Sequence, residues 1–253
     1  CCFPENMPRF GYTQTTCTLI LNDYQSGTAI SFMDADYITR VRTAAVALLS
    51  CQKFARQDFK TMGMIGCGVQ GKQQVAMVAR AYPQIEKIYL YDRFESAQDA
   101  LIAECQPYTK AEFVKSDWEE LARNSDVIFS AAYIPAVPNP QIKDEWLPKK
   151  GQTIIASDCH THYEDVSIKA ADKYYVDSIE EHELFVTYGM YPWGLPKITG
   201  ETGAALAGMV PGRERADEFI FVNNVGMAVE DIVVARKIFD TALERGIGTK
   251  MPL

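Results

Sequence analysis

Strands and helices alternate from Thr61 onward, a glycine-rich turn joins the first strand of that series to its helix, and an acidic residue closes the second strand. Together these predict an α/β protein: a parallel, doubly wound sheet of the Rossmann kind with a smaller α+β part beside it. The 253 residues can bury a large core, as one big domain or two modest ones. At 47% hydrophobic and 23% charged, the balance is that of an ordinary soluble globular chain. A net charge of -8 leaves no basic surplus to displace phosphate counterions, so a nucleic-acid partner is not expected. The charge is spread along the chain and has no tail. Cys1, Cys2, Cys17, Cys51, Cys67, Cys105 and Cys159 are odd in number and lack CxxC spacing, which suits reduced thiols in a cytoplasmic protein better than a disulfide framework. No apolar run approaches the roughly 18 residues of a membrane span, and no signal peptide is legible.

Each element follows from its local pattern. Residues 17–21 and 28–33 read as strands, and the turn formers from Asn22 to Gly27 make them a hairpin. Asp34 is placed to cap a helix whose buried face carries Tyr37, Val41, Ala44, Ala45 and Leu48. Strands are expected at Thr61–Ile65, Lys87–Tyr91, Glu112–Lys115, 126–130, 152–156 and 174–176, with helices at about 72–81, Glu95–Cys105 and 118–123. Pro135, Pro138, Pro140 and Pro148 keep residues 133–148 as loop, and the Gly- and Pro-rich stretch from Tyr188 to Gly212 reads as loop as well. A strand at 219–222 and a long helix at 227–245, ended by Gly246, complete the chain.

The chemistry concentrates at Gly66-Cys67-Gly68-Val69-Gln70-Gly71. A G-x-G-x-x-G turn alone is weak, because plain strand–turn–helix junctions also use glycine. Here an apolar strand precedes it, a helix follows, and a second strand ends in Asp92 about 20 residues further on. In that setting Gly66 allows the tight turn, Gly68 lets the backbone approach a pyrophosphate, and Gly71 allows close helix–strand packing. The pyrophosphate belongs at the helix N-terminus, beside Val69 and Gln70. Asp92 can accept from both ribose hydroxyls of NAD and would repel the 2′-phosphate of NADP; Arg93 next to it could accommodate that phosphate. NAD is favoured.

A wider set of segments resembles the ornithine cyclodeaminase/mu-crystallin family over essentially the whole chain. They are Asn22-Asp23, Gly27, Met33-Asp34-Ala35, Thr39 through Ala45, the glycine turn, Ser157-Asp158-Cys159, Gly200-Glu201, Pro211-Gly212-Arg213, Val225-Gly226 and Glu230-Asp231. The resemblance implies that Arg42 holds a substrate carboxylate, a bidentate task suited to a guanidinium, and that Thr43 lies beside the cofactor phosphates. It implies that Asp158, closing a strand at the sheet's carboxyl edge, is the polar catalytic group, stabilising a cationic amine or imine and relaying a proton while hydride moves at the substrate α-carbon. Without the resemblance, Arg42 reads as a surface helix charge and Asp158 as a turn cap. Ser130, closing its strand, and Asn224, near the nicotinamide, complete the cofactor set. The family's dimer, formed by pairing substrate-domain sheets, implies a homodimer.

Departures from the family pattern bear on specificity. The Pro-Gly-Lys type turn that follows the aspartate in cyclodeaminase-like members is replaced by Cys159-His-Thr-His162-Tyr-Glu164. His160 and His162 without a third ligand make no metal site, and no metal is expected; one of them is a candidate to line the substrate. Asn223-Asn224 stands where Asp-Ser is frequent. The family begins with a segment supplying an arginine and a lysine to the substrate carboxylate, and this chain opens at Cys1, just after that lysine falls, as a fragment would. The expected division is 1–45 with 227–253 as a substrate and dimerisation part, and 46–226 as the NAD-binding domain. The expected activity is NAD-dependent oxidation or reduction at the α-carbon of an amino or imino acid. A cyclodeaminase with internally recycled NAD, and a non-catalytic nucleotide-binding or accessory subunit, are the alternatives; retention of Arg42 and Asp158 speaks for an enzyme.

Overall fold

The computed structural model describes residues 6–12, 15–135 and 137–251; Cys1 and Cys2, with the opening of the chain, lie outside them. The chain forms two compact units, Cys1–Thr43 with Met227–Leu253, and Ala44–Gly226. The first holds helix α1 (Asn6–Phe10), the antiparallel strands β1 (Thr18–Asn22) and β2 (Ala29–Asp34), the start of α2 (Asp36–Phe54) and the C-terminal helix Ala228–Arg245. Leu19 and Met33 pair across the hairpin and pack with Ala35, Ile38, Ala235 and Ile238. Their neighbours Ile20 and Phe32, also paired, point the other way and are 59% and 67% exposed. Asp34 closes β2 one residue too early to cap α2 in the usual way; its carboxylate instead takes the Asp36 N–H at 3.0 Å. Gly246, in the left-handed region at φ 63°, ends the C-terminal helix.

The second unit is the expected doubly wound sheet. In chain order it contains β3 (Thr61–Ile65), α3 (Val69–Ala81), β4 (Lys87–Tyr91), α4 (Glu95–Cys105), β5 (Glu112–Lys115), α5 (Trp118–Asn124), β6 (Val127–Ser130), β7 (Thr153–Ala156), α6 (Asp165–Lys169), β8 (Lys173–Val176), α7 (Ile179–Thr187), β9 (Gly200–Glu201), α8 (Thr202–Leu206) and β10 (Ile220–Asn223). The strand order is β5-β4-β3-β6-β7-β10-β8-β9, and every pairing is parallel. Strand residues alternate between two cores. Met62, Met64, Phe129 and Val222 pack with Phe54 of α2 and Val75 and Val78 of α3; Ile65, Ile128, Ile154 and Phe221 pack with Leu121 of α5 and Ile168 of α6. Burial on both faces is why these strands read as apolar runs.

The Tyr188–Gly212 stretch is not loop throughout, since it contains β9 and α8. A two-residue strand and a five-residue helix are too short to print a period on the sequence. Their place is set by a partner: Thr199 N–H donates to the Tyr174 carbonyl at 2.7 Å and starts the pairing with β8.

At the opposite, amino edge of the sheet, Arg213 acts as a clasp. Its Nε donates to the Phe54 carbonyl at 2.7 Å, one terminal nitrogen to the Glu218 carbonyl at 2.8 Å, and the other to Thr153 Oγ1 at 2.8 Å. One planar fork thus joins the end of α2 to the starts of β7 and β10. Arg213→Ala should lower the free energy of unfolding by roughly 3 kcal/mol, because carbonyls that lose a charged donor stay desolvated. Arg213→Lys should recover less than half of that in urea titrations, since an ammonium cannot span the three partners.

Candidate active site

The carboxyl ends of β4, β3, β6 and β7 lie side by side in the sheet, and the crevice where strand order reverses falls between β3 and β6. Gly66 follows β3 with φ 88°, and a Cβ there would stand 2.7 Å from the Ala131 carbonyl oxygen after β6. A Cβ on Gly71 would stand 2.0 Å from the Gly66 oxygen. Both glycines are therefore required by the protein's own packing. Gly68 is different: φ is -74°, and a Cβ would meet nothing within 4 Å. Neither strain nor crowding from the protein demands glycine at position 68, and its bare backbone stands open at the start of α3. Gly68 also brings no side-chain cap to α3, whose 13 residues aim their positive end at this space. Val69 and Gln70 form the first turn of that helix, and Val69 is exposed.

Asp92 sits against the same turn. Its Oδ2 accepts the Cys67 N–H at 2.7 Å and its Oδ1 the Phe94 N–H at 2.9 Å, while Gly66 N–H donates to the Tyr91 carbonyl at 2.8 Å. An ionised carboxylate has about four acceptor positions, so two bonds orient Asp92 and leave capacity for a diol. Arg93 points over the Phe94 ring, 4.6 Å from its centroid. The glycine turn and the acidic residue thus form one continuous surface, and these residues fit the diphosphate and ribose of a dinucleotide.

Two strands across, Asp158 is completely buried. Ser130 Oγ donates to its Oδ1 at 2.9 Å, and Ala132 N–H donates to its Oδ2 at 3.2 Å. Ser130, expected among the cofactor contacts, spends its hydroxyl on this carboxylate. Burial pushes the Asp158 carboxyl above its ordinary value, against the pull of His162, Ser130 and the Ala132 amide. Burial drives the thiols nearby, Cys67 and Cys159, each up to about 12. Cys159 and His160 follow Asp158 with φ of 55° and 48°, two successive non-glycine residues in the left-handed region. The histidines have separate surroundings: His160 Nδ1 lies 3.3 Å from Tyr174 Oη, whereas His162 Nε2 lies 3.9 Å from Asp158 Oδ2.

A model described as the ornithine cyclodeaminase/mu-crystallin family matches residues 1–246. The chain belongs to that family. Among its curated relatives is the N-((2S)-2-amino-2-carboxyethyl)-L-glutamate dehydrogenase of Staphylococcus aureus, 29% identical, the match covering 98% of this chain and 75% of the relative. Solved structures similar to it include the Thermococcus litoralis Delta(1)-pyrroline-2-carboxylate reductase in complex with NADH and L-proline, at 25% identity and TM-score 0.82, covering 99% of this chain and 78% of that one. An archaeal alanine dehydrogenase dimer with bound NAD aligns at 27% identity and TM-score 0.84, covering 100% and 78%.

Asn224 is buried, with Nδ2 donating to Ser50 Oγ and Oδ1 accepting from Thr202 Oγ1, each at 2.9 Å. Its side chain links three segments of its own unit. Arg42 belongs to the first unit, with Nη1 3.2 Å from Glu230 and Nε 3.2 Å from Asp231. Thr43 donates back to the Thr39 carbonyl at 2.9 Å within α2. The Ser130–Asp158 bond, the Ala132 amide and the approach of His162 escape sequence reading. The i,i+4 spacing of Asp158 and His162 was the one available signal for the last of these.

Two outcomes test this geometry. Gly71→Ala should cost about 1–3 kcal/mol of stability through overpacking, whereas Gly68→Ala should unfold at the wild-type denaturant midpoint. His160, held neutral in its aromatic setting, has its pKa pulled by burial from 6.5 down to about 3. The unfolded chain then binds the extra proton first, so this residue's contribution to stability is lost as pH falls from about 6.5 toward 3. Urea unfolding of His160→Gln across that window should decline less steeply than wild type.

Proposed function

We propose that this protein is an NAD-dependent oxidoreductase acting at the α-carbon of an amino or imino acid. The observation that carries the reading is the Cys67 amide bound to Asp92: it joins the glycine turn and the acidic strand end into one cradle, beside a buried carboxylate two strands away. When bound, the nicotinamide supplies the hydride acceptor or donor; the side chains do the rest. Gly66, Gly68, Val69, Gln70 and Gly71 receive the diphosphate, and Asp92 holds the ribose, with its negative charge favouring NAD over NADP despite Arg93. Asp158, kept protonated further up the pH scale by burial, is suited to exchange a proton with an amine or imine nitrogen. Ser130 fixes that carboxyl in place. Family membership supports Arg42, flanked by Glu230 and Asp231, as the anchor for a substrate carboxylate; Thr43, assigned to the phosphates on the same ground, has its hydroxyl donating to the Thr39 carbonyl.

The relatives named above include a dehydrogenase and a reductase of amino or imino acids, which supports net redox chemistry. The exposed Ile20–Phe32 pair on the outer face of the hairpin supports a homodimer built through those sheets. No helix among the described residues is long and apolar enough to cross a membrane. The free thiols of Cys17, Cys51, Cys67, Cys105 and Cys159 support a cytoplasmic location.

The test is to incubate the protein with NAD or NADH and a panel of amino acids, keto-acid/amine pairs and cyclic imines, following ammonia and NADH together. A stoichiometric change in NADH is expected. Ammonia released at constant NADH would make the protein a cyclodeaminase, and NADH binding without turnover would make it a binding subunit. Asp158→Asn should lower kcat/KM by about 10²–10⁴ and leave NADH affinity unchanged. Gly68→Val should weaken NADH binding by at least about tenfold, read by NADH fluorescence, with unaltered thermal stability.

A further inference from the structure

The backbone after β7 doubles back on itself. With Cys159 and His160 both left-handed, the Thr161 N–H and Oγ1 return to the Asp158 carbonyl at 3.4 and 3.1 Å. Non-glycine residues in this region cost of order 1 kcal/mol or more each and persist where the surroundings impose them. The consequence here is a placement: the ring of His162 is carried over the side chain of Asp158, its Nε2 3.9 Å from Oδ2. The imidazole lies tilted against Trp118, centroids 5.6 Å apart, and its side chain is only 11% exposed. Neither ring nitrogen has a hydrogen-bond partner among the described residues. Buried polar atoms are ordinarily satisfied, so an imidazole with two open positions, aimed at a buried carboxyl, points to an exchange that its resting contacts do not show. Separations between catalytic partners are often long before substrate binds.

We propose that His162 is a positioning residue for Asp158, sharing a proton with its carboxyl and restoring that proton during turnover. The inference rests on the reading of Asp158 as the group that meets the substrate nitrogen. Reduction of a C=N bond takes up one hydride at carbon and one proton at nitrogen. As the π pair of the C=N bond becomes the new N–H bond, the Asp158 carboxyl gives up its proton and is left as a fully buried carboxylate. A proton held between His162 Nε2 and the carboxyl returns to that carboxylate, and the pair regains the proton it has lost from solvent on release of product. Oxidation of an amine runs the same transfers backwards. The other titratable groups around Asp158 take no part: burial drives Tyr163 far up and Cys159 up to about 12, so both stay neutral. Ser130 and the Ala132 amide, which face Asp158 from the end of β6 and the loop after it, only donate hydrogen bonds.

The experiment needs neither cofactor nor substrate. Isotope-edited infrared spectroscopy of the carboxyl C=O band, assigned by its loss in Asp158→Asn, follows the protonation of Asp158 against pH in the free protein. Removing the imidazole whose charge pulls the Asp158 carboxyl down should raise that carboxyl's proton affinity by at least about tenfold, so His162→Gln should hold the Asp158 band to higher pH. His162→Lys, which holds a cation at that place, should titrate below the wild-type pH. Equal titrations in wild type and His162→Gln, or both variants moving in one direction, overturn the proposal. Should His162→Gln fail to fold, His162→Asn is titrated in its place, and superposition of its curve on wild type overturns the proposal. In turnover, His162→Gln should lower kcat by about tenfold with KM and NADH affinity retained, and shift the pH profile in parallel with the band. A shifted band in a protein that reduces no imine and oxidises no amine keeps the proton pair and overturns the functional reading instead.

Discussion

The hydrogen bond from the Cys67 amide to Asp92 is the contact on which the candidate site depends. It joins two strand tips that a parallel sheet brings near each other but does not by itself align. The turn carrying that amide exists only because Gly66 can lie against the Ala131 carbonyl and Gly71 against Gly66, distances that no Cβ would allow. Packing between backbone segments therefore sets the shape of the cradle, and side chains are spared for the ligand. The register of β3 with β4 and β6, Ile65 opposite Tyr91 and Ser130, transmits this alignment along the sheet edge.

From Ser130 onward the same edge solves a different problem. A carboxyl with no exposure must be held by donors or be neutral, and Asp158 uses both means: two donors fix its oxygens, and burial raises its hold on a proton. An exposed aspartate would be ionised at neutral pH and poorly suited to deliver a proton. The left-handed residues that follow are a local cost, offset by the surrounding packing, and they are what bend the chain back over the carboxyl. Strain, burial and pKa are in this sense one feature seen three ways.

Much of this was legible in the sequence, and the division has a physical reason. Strands such as Thr61–Ile65 and Lys87–Tyr91 are buried on both faces, so their apolar runs announce them, and the glycine turn is a contiguous pattern. Helices α6 and α8 span five residues each and carry no period. The partners of Asp158 lie 28 and 26 positions away in the chain, and only the sheet brings them to it. Ser130 and Asn224 show the limit from the other side. A polar residue at a strand end reads as a ligand contact, yet one hydroxyl holds Asp158 and the other side chain bridges Ser50 and Thr202. A strand tip needs internal polar fasteners as much as it needs contacts with a ligand, and sequence does not separate the two.

Arg42 raises the same question within the first unit. Its guanidinium is flanked by Glu230 and Asp231. Those carboxylates reduce the attraction for a further anion, but they also fix the plane of the fork, and a bidentate grip on a carboxylate depends on that plane more than on net charge. An anchor oriented in advance loses little entropy when it binds. Such a fork selects for a flat anion with two oxygens and is blind to whatever else that anion carries.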